Sequence, residues 1–431
     1  MLFSDLSNWN LKMKHKWINI LLNVSRILFG LTFLFSGFTK AVDPMGSAYK
    51  FIDYFREFSL TFFNPFAIPL AVILAAIEFA VGACILFGVM RRTATTLGLL
   101  FMMFFTPLTL YLAIANPVKD CGCFGDAFIL TNWETFYKNI VLLAMAIFLF
   151  IKRESLQPLF LPSLRWLIAL YALLFSIFIS QYGLSHTPIL DFRPFRKGTN
   201  ITEAMKGSGS DATYLLVYEK NGKQQEFTLE NYPAEDSTWT FVETRTIQSP
   251  DAQEPIIKDF FLTTASGEDI TSDILENTGY TFLLISPDWN TADDNYIDKI
   301  NETFDFARDK GYSFYGVSVN DPLKESEWVE GTGAEYPFIY SDATILETVI
   351  RPNPGMVLLK NGTIVWKKNT AHLPDSDQLS SELNTVDQQG VKKSNDQMII
   401  LFIILLFFGP ILVLLCFEKT IVFFYRKWIK R

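Results

Sequence analysis

Long apolar runs dominate the first and last parts of the chain. A bilayer core of ~30 Å needs about 20 apolar residues in a helix, and each run meets that length. So many long runs cannot all be interior helices of a soluble protein. The pattern therefore predicts six membrane-spanning helices, at residues 17–38, 67–90, 93–115, 132–151, 163–182 and 397–417. No small-residue cleavage site follows the first run, so we interpret it as a retained helix.

The polarity pattern changes between the fifth and sixth runs. Residues 213–229 alternate around Asn221-Gly222, which indicates a hairpin, and 183–253 is predicted to be a β-rich connector. The tract GSGS at 207–210 indicates a flexible joint. From 254 to 395, apolar strands alternate with amphipathic helices, as in an α/β domain. The predicted helix at 292–311 ends at Gly311.

Charge then orients the predicted spans. Lys12–Lys16, Arg91-Arg92, Lys152-Arg153 and the basic tail at 418–431 flank the same side of the runs. The positive-inside rule places these clusters, and with them both termini, in the cytoplasm, so 1–16 is a cytoplasmic segment. The loop at 116–131 and the large segment at 183–396 then face the periplasm of a bacterial inner membrane. Most of the 45 acidic residues lie in that segment, which argues against nucleic-acid binding.

Cys121 and Cys123 are separated only by Gly122, in a loop predicted to face an oxidising compartment. Gly122 permits the unusual dihedrals of so short a bridge, and such a bridge is expected to be strained and easily reduced. Redox exchange, a structural staple and two unreactive thiols all remain open. A metal site is not expected, because no histidine lies near in the sequence. Cys84 and Cys416 lie inside predicted spans and are expected to be inert.

Arg26 and Glu78 are charged residues that lie inside predicted spans. Arg26 and Glu78 are about 14 Å and about 18 Å from the cytoplasmic ends of their runs at ~1.5 Å per residue. These similar depths predict an intramembrane ion pair. The pair is interpreted either as functional or as a structural contact that fixes helix register.

The membrane part resembles the DoxX/MauE family of four-helix membrane proteins over about 17–151. The residues that carry the likeness are SRILFGLTFLFSGFTK (25–40), AIEFAVGACILFGV (76–89) and CGCFGD (121–126). The resemblance implies redox chemistry at Cys121 and Cys123, within a loop that also contains Phe124, Gly125 and Asp126. MauE-like proteins are linked to disulfide handling with a thioredoxin-like partner. DoxX-like proteins are linked to quinone-coupled oxidation, which suggests a membrane quinone as cofactor.

Residues 254–372 resemble thioredoxin-like and peroxiredoxin-like domains. The stretch VIRPNPGMVLLKNGTIV (349–365) matches the family's cis-proline strand and hairpin, with Pro354 at the cis-proline position. After the strand TFLLIS, Trp289 stands where the family's Trp precedes Cys-x-x-Cys, but Asn290 and Asp293 replace the cysteines. The resemblance therefore implies a vestigial site without a nucleophile.

These features predict a polytopic α-helical membrane protein, a four-helix bundle plus two further spans, with an α/β thioredoxin-like periplasmic domain. The expected function is thiol–disulfide exchange or electron transfer through Cys121 and Cys123, with a non-catalytic outer domain that binds or positions clients. The alternative is a non-enzymatic envelope assembly or scaffold protein with a structural disulfide. Expected partners are membrane lipid and periplasmic thiol proteins.

Overall fold

The protein, described here by a computed structural model, consists of two compact units. The structure describes residues 2–118, 121–206, 213–220, 223–228, 239–247 and 255–429. Residues 1–193 and 395–431 form the first unit, and 194–394 form the second. The predicted joint at 207–210 and the turn at Asn221-Gly222 lie outside the described residues.

The first unit is a helical bundle. Among its described residues, six helical segments are long and apolar enough to cross a membrane, as the hydrophobic pattern predicted. The bundle helices are α1 (Leu2–Val42), α2 (Pro44–Glu57), α3 (Ala67–Phe87), α4 (Arg91–Ala115), α5 (Asn132–Ile151), α6 (Arg165–Ser185) and, at the end of the chain, α13 (Asp396–Ile429). Their apolar side chains form one continuous core, which contains Phe29, Phe79, Leu149 and Phe407.

Helices α1 and α3 pack antiparallel and closely, through glycines. A Cβ atom on Gly82 would lie 2.5 Å from Leu34 N, and one on Gly30 would lie 3.0 Å from Leu86 Cβ. Small residues at a helix interface allow backbones to approach, which is a major source of packing energy inside a bilayer. This close contact fixes which side chains of α1 and α3 lie at the same level.

Helix α5 begins where the sequence predicted. Thr131 accepts a hydrogen bond from the Glu134 backbone N–H, and the Glu134 carboxylate accepts from the Thr131 N–H at 2.9 Å. This reciprocal capping box satisfies two N–H groups that the first turn of a helix leaves open. It also fixes the position of the residues one turn further along α5.

The second unit contains two sheets. The smaller has the strand order β2-β1-β3, all antiparallel, so the strands flanking the predicted hairpin turn do pair. The larger has the order β6-β5-β4-β7-β8, with β4, β5 and β6 parallel and β7 and β8 antiparallel to them. The strands are β1 (Thr213–Lys220), β2 (Lys223–Thr228), β3 (Thr240–Ile247), β4 (Tyr280–Ile285), β5 (Ser313–Ser318), β6 (Phe338–Tyr340), β7 (Gly355–Lys360) and β8 (Thr363–Asn369).

Helices complete the second unit around the larger sheet. Strand β4 is buried along its whole length, because apolar clusters cover both faces of the sheet. A β-α-β crossover followed by an antiparallel hairpin is the connectivity of a thioredoxin-like fold, as predicted. The helices are α7 (Ile201–Lys206), α8 (Thr271–Leu275), α9 (Ile297–Lys310), α10 (Pro322–Thr332), α11 (Ala343–Val349) and α12 (Ser376–Gln389).

Candidate functional site: a disulfide above a buried lysine–glutamate pair

The loop between α4 and α5 contains a disulfide bond. Cys121 and Cys123 are bridged, with their Cα atoms 5.4 Å apart. Gly122 between them has φ of +64°, and a Cβ atom there would lie 3.1 Å from Cγ of Lys50. A side chain at 122 would therefore meet both backbone strain and the lysine stem. The two remaining cysteines are free, with Cys84 buried as expected and Cys416 exposed on the surface of α13.

The residues after the bridge turn back towards the bundle. Gly125 has φ of +53° and begins a short 3-10 turn, Gly125–Ala127, which includes Asp126. The Phe124 ring packs against Phe35 at 5.5 Å between centroids, and Lys138 Nζ lies 4.3 Å from its centroid. An aromatic face attracts such a cation, so Phe124 connects the loop to both α1 and α5.

Three side chains hold the backbone of the bridge. Lys40 Nζ donates to the Cys123 carbonyl at 3.1 Å, and Ser36 Oγ lies 2.7 Å from the same oxygen. The Tyr54 hydroxyl donates to the Cys121 carbonyl at 3.0 Å. Each cysteine of the bridge is therefore fixed through its own carbonyl, from α1 on one side and α2 on the other.

A buried ion pair lies beneath these anchors. Lys40 Nζ is 2.7 Å from Glu78 Oε2, and the two side chains are only 10% and 7% exposed. Ser36 Oγ accepts from Lys40 at 2.8 Å and lies 2.8 Å from the same Glu78 oxygen. Buried charges need a partner and further hydrogen bonds to offset their desolvation, and this network supplies both.

The predicted Arg26–Glu78 pair is wrong. Arg26 is buried, but it donates instead to the carbonyls of Leu86 and Gln157, each at 2.9 Å. The register of α1 on α3 explains this, because Arg26 lies level with Leu86. Leu86 and Glu78 are eight residues apart, or about 12 Å along α3. Glu78 is instead level with Lys40, in the last turn of α1.

The sulfur of Cys121 has polar neighbours of its own. The Cys123 backbone N–H donates to Cys121 Sγ at 3.2 Å, and Thr135 Oγ1 lies 3.5 Å from that sulfur. Thr135 is completely buried on α5, one turn after the capping box. A buried hydroxyl is expected to have a hydrogen-bond partner. Among the described residues, Cys121 Sγ is the partner that lies within reach of the Thr135 hydroxyl.

A cavity of about 90 Å³ extends from the bridge into the bundle. Its walls are mostly apolar, with Asn139 and Thr109, which are bonded to each other at 3.2 Å, among the polar groups. Charged side chains in the lining are Lys40, Lys50, Lys138 and Glu78. Three lysines against one carboxylate give the cavity a formal charge of +2, next to the disulfide.

The residues predicted to form a vestigial site lie in the second unit. Trp289 is buried and stacks on Trp328 with centroids 4.7 Å apart. Asn290 and Asp293 are exposed, and the Asp293 N–H donates to the Asn353 carbonyl at 3.0 Å. The Asn353–Pro354 peptide bond is cis, as predicted. These residues therefore lie together, and the sequence between 194 and 394 contains no cysteine.

Sequence reasoning missed several residues of the bridge site, among them Ser36, Lys40, Tyr54, Thr135 and Lys138. Lys40 was placed beyond the first span because the apolar run stops at 38, although α1 continues to Val42. Thr135 and Lys138 had a usable signal, because both follow the capping box by about one turn and lie on a face of α5 that meets the loop. No sequence signal indicated Tyr54, since only the packing of α2 brings it to Cys121.

The geometry defines a class: a polytopic helical membrane protein with a disulfide in one interhelical loop and a thioredoxin-like unit without cysteines. Residues 18–152 match the family described as Methylamine utilisation protein MauE, so this part of the chain is similar to that family. Residues 212–249, which include the small sheet, match a domain of unknown function, DUF8463. No curated protein matches the chain.

Three solved structures show the extent of the structural likeness. A thioredoxin-like protein from Aeropyrum pernix is 15% identical, covering 30% of this chain and 89% of that one, with a TM-score of 0.24. A secreted disulfide oxidoreductase of Mycobacterium tuberculosis is 16% identical, with 30% and 96% coverage and a TM-score of 0.23. StoA from Bacillus subtilis is 16% identical, with 29% and 95% coverage and a TM-score of 0.22. The fold of the second unit is assigned from its own strand connectivity.

Proposed function

We propose that this protein exchanges thiol–disulfide equivalents across the Cys121–Cys123 bond in the inner membrane of a bacterium. The observation that carries the proposal is the position of the disulfide, in the wall of a cavity whose lining has a formal charge of +2. Positive charge beside a cysteine favours the thiolate, which is the form that attacks and leaves in exchange.

The three hydrogen-bond contacts to the carbonyl groups of Cys121 and Cys123 support the same proposal. Lys40, Ser36 and Tyr54 fix the backbone on both sides of the bridge, independently of the S–S bond. The loop therefore keeps its anchors when the bond opens, and both sulfurs stay in place to reform it. A bridge that closes a loop of only three residues also adds little stability by restricting the unfolded chain, so a purely structural role gains little.

In this proposal, a membrane quinone bound at the cavity is the electron acceptor. The lining is largely apolar, as ligand pockets generally are, and Lys138 and Asn139 offer polar groups that would hold the ring oxygens. When bound, such a quinone would supply a sink for two electrons. The residues of this chain would orient it and keep water from the inner part of the cavity.

The thioredoxin-like unit is proposed to bind or position client proteins without chemistry. With Asn290 and Asp293 at the positions of the family's cysteines, it has no thiol to attack a disulfide. In this proposal, the basic flanks place both termini in the cytoplasm and the bridge and second unit in the periplasm. The alternative, an assembly scaffold with a structural disulfide, makes a different prediction for the potential of the bond.

The experiment is a redox titration of the full-length protein in lipid nanodiscs. Glutathione buffers of defined potential are applied, and the free thiols of the pair are counted by mass after alkylation. Structural disulfides generally have potentials below about −300 mV, so exchange predicts a value above that limit. The matched control replaces Cys84 and Cys416 with Ser, which should leave the potential unchanged.

A second readout is covalent trapping. Cys121→Ser and Cys123→Ser are expressed separately, and mixed disulfides are sought on non-reducing gels. Exchange predicts covalent partners on at least one variant, and the double variant serves as the blank. A potential below about −300 mV, together with no mixed disulfide on either variant, would overturn the proposed function.

A further inference from the structure

The two sulfurs of the bridge have different surroundings, although the sequence treats the cysteines alike. Cys121 Sγ has two hydrogen-bond donors within reach, the Cys123 backbone N–H at 3.2 Å and the Thr135 hydroxyl at 3.5 Å. Among the described contacts, Cys123 is held through its carbonyl oxygen, by Lys40 and Ser36. Donors aimed at one sulfur stabilise negative charge on that sulfur more than on its neighbour.

Thr135 has a geometry suited to this task. The side chain is completely buried, on the first turn and a half of α5, and the capping box fixes the start of that helix. Its hydroxyl proton is free to rotate towards an acceptor. A sulfur that gains a full negative charge is a much stronger acceptor than the neutral sulfur of a disulfide, so this contact tightens as the bond opens.

We infer that Cys121 is the cysteine that carries the negative charge when the bridge opens, and that Thr135 is the catalytic residue that stabilises this thiolate. The inference rests on the proposed function and adds an order of events to it. A reducing thiolate attacks Cys123 Sγ and forms a new S–S bond there. The Cys121–Cys123 bond breaks, and its electron pair stays on Cys121 Sγ.

The second half of the exchange resolves the mixed disulfide and accounts for the electrons and protons. For a dithiol reductant, its second thiolate attacks the reductant sulfur now bonded to Cys123 and closes the reductant's own disulfide. Cys123 leaves as a thiolate and takes up a proton. The dithiol has then lost two electrons and two protons, and the cysteine pair has gained the two electrons. In the reverse direction, the Cys121 thiolate reforms the bond by attacking a mixed disulfide at Cys123.

The test compares two single-cysteine proteins in the full-length chain. Both have Cys84 and Cys416 replaced with Ala; one also has Cys123→Ser and the other Cys121→Ser. The rate of iodoacetamide alkylation is measured against pH in nanodiscs. The midpoint of Cys121 is expected about one pH unit or more below that of Cys123, which corresponds to roughly tenfold more thiolate at a pH below both midpoints. The midpoint, rather than the rate, is the readout because nucleophilicity falls as pKa falls.

Variants of Thr135 separate its role from simple packing. Thr135→Val should raise the Cys121 midpoint and leave that of Cys123 unchanged, whereas Thr135→Ser, which keeps the hydroxyl, should retain the low midpoint. Thr95→Val is the matched control, because Thr95 is equally buried but bonds to a carbonyl of its own helix, α4. Its substitution should move neither midpoint.

Two outcomes would overturn the inference. One is a Cys123 midpoint at or below that of Cys121. The other is a Cys121 midpoint that does not respond to Thr135→Val in a protein that remains monodisperse. Should Thr135→Val fail to fold, the comparison of the two cysteines with Thr135→Ser still decides. No client is needed for these measurements, so their failure is distinct from a failure of the proposed exchange activity.

Discussion

At the scale of single residues, the site depends on a lysine and a glutamate that share one half-buried hydroxyl, that of Ser36. Lys40, Glu78 and Ser36 lie within 2.8 Å of one another, and two of them contact the Cys123 carbonyl. A buried ion pair is a weak source of stability, because desolvation offsets most of the attraction. Its partners are nevertheless strongly coupled, since either charge alone would be buried without compensation.

This coupling gives a prediction for Lys40→Met. The variant leaves the Glu78 carboxylate buried and unpaired, and we expect a loss of about 3–5 kcal/mol. The double variant Lys40→Met with Glu78→Gln should recover most of that loss, because no buried charge is left. Thermal unfolding of the purified full-length chain measures both, and Lys16→Met, at an exposed position on the same helix, is the control. Equal destabilisation by the single and double variants would show that the two charges are not coupled.

The individual residues of the site were predictable only where they carry chemistry by type. Cys121, Gly122 and Cys123 could be identified from the sequence, because a cysteine pair in a loop predicted to face outward has few non-functional explanations. The partner of Glu78 could not be predicted, because a depth that is counted from the end of an apolar run can be wrong by several residues. Arg26 lies level with Leu86, about 12 Å along α3 from Glu78, so the two charges differ in depth by about eight residues instead of lying at similar depths.

At the scale of helices and strands, the contact of α1 with α3 decides which residues meet. A Cβ atom on Gly37 would overlap the backbone nitrogen of Phe79 and lie 2.8 Å from the Ala75 carbonyl oxygen. Backbone atoms cannot move aside as a flexible side chain does. The glycine therefore sets the distance between the helices that carry Lys40 and Glu78.

Gly37→Ala is predicted to destabilise the bundle, by about 1–3 kcal/mol, because overpacking displaces one helix from the other. The control is Gly409→Ala in α13, where no atom lies within 4 Å of the added methyl group. That control should be neutral or slightly stabilising, since alanine favours helix more than glycine does. Thermal unfolding in the same nanodiscs compares the two. A Gly37→Ala protein as stable as the Gly409→Ala protein would contradict the close packing.

Most elements followed from sequence periodicity and capping residues. The apolar runs and the end of α9 at Gly311 were predicted and are present. The start of α9 differs, because the predicted helix began at 292 and the structure begins it at Ile297. Side-chain and backbone bonds between Asn353 and the Asp288–Asp293 segment hold that stretch in an extended or 3-10 form instead. These contacts are long-range, so local pattern does not reveal them.

At the scale of the whole molecule, all four cysteines belong to the helical unit. The thioredoxin-like unit retains the sheet and the cis-proline of its fold class, and its sequence from 194 to 394 contains no thiol. The chain thus joins a disulfide carried by a membrane bundle to a scaffold of the kind that elsewhere holds one. In the proposed function, chemistry and client recognition are divided between the two units.

The orientation of the whole chain is testable by labelling. In intact cells, a membrane-impermeant maleimide should react with Cys121 and Cys123 after mild reduction, because the basic flanks predict that their loop lies outside. A cysteine added after Arg431 should react only once the membrane is permeabilised. The background carries Cys84→Ala and Cys416→Ala, so that no other thiol contributes. Labelling of the added cysteine in intact cells, with none at the loop, would reverse the orientation.

One further feature concerns the two ends of the loop that carries the bridge. Asn132, the first residue of α5, donates from its side-chain amide to Asn116 Oδ1 at 2.8 Å and to the Val118 carbonyl at 2.9 Å, so it ties the end of α4 to the start of α5. The hairpin is therefore closed at its base by an amide clasp, whatever the state of the sulfurs above it. Oxidised and reduced forms should share one bundle shape. A partner protein that distinguishes the oxidised from the reduced form is then expected to contact the atoms around the sulfurs, because the helices beneath them have the same arrangement in both forms.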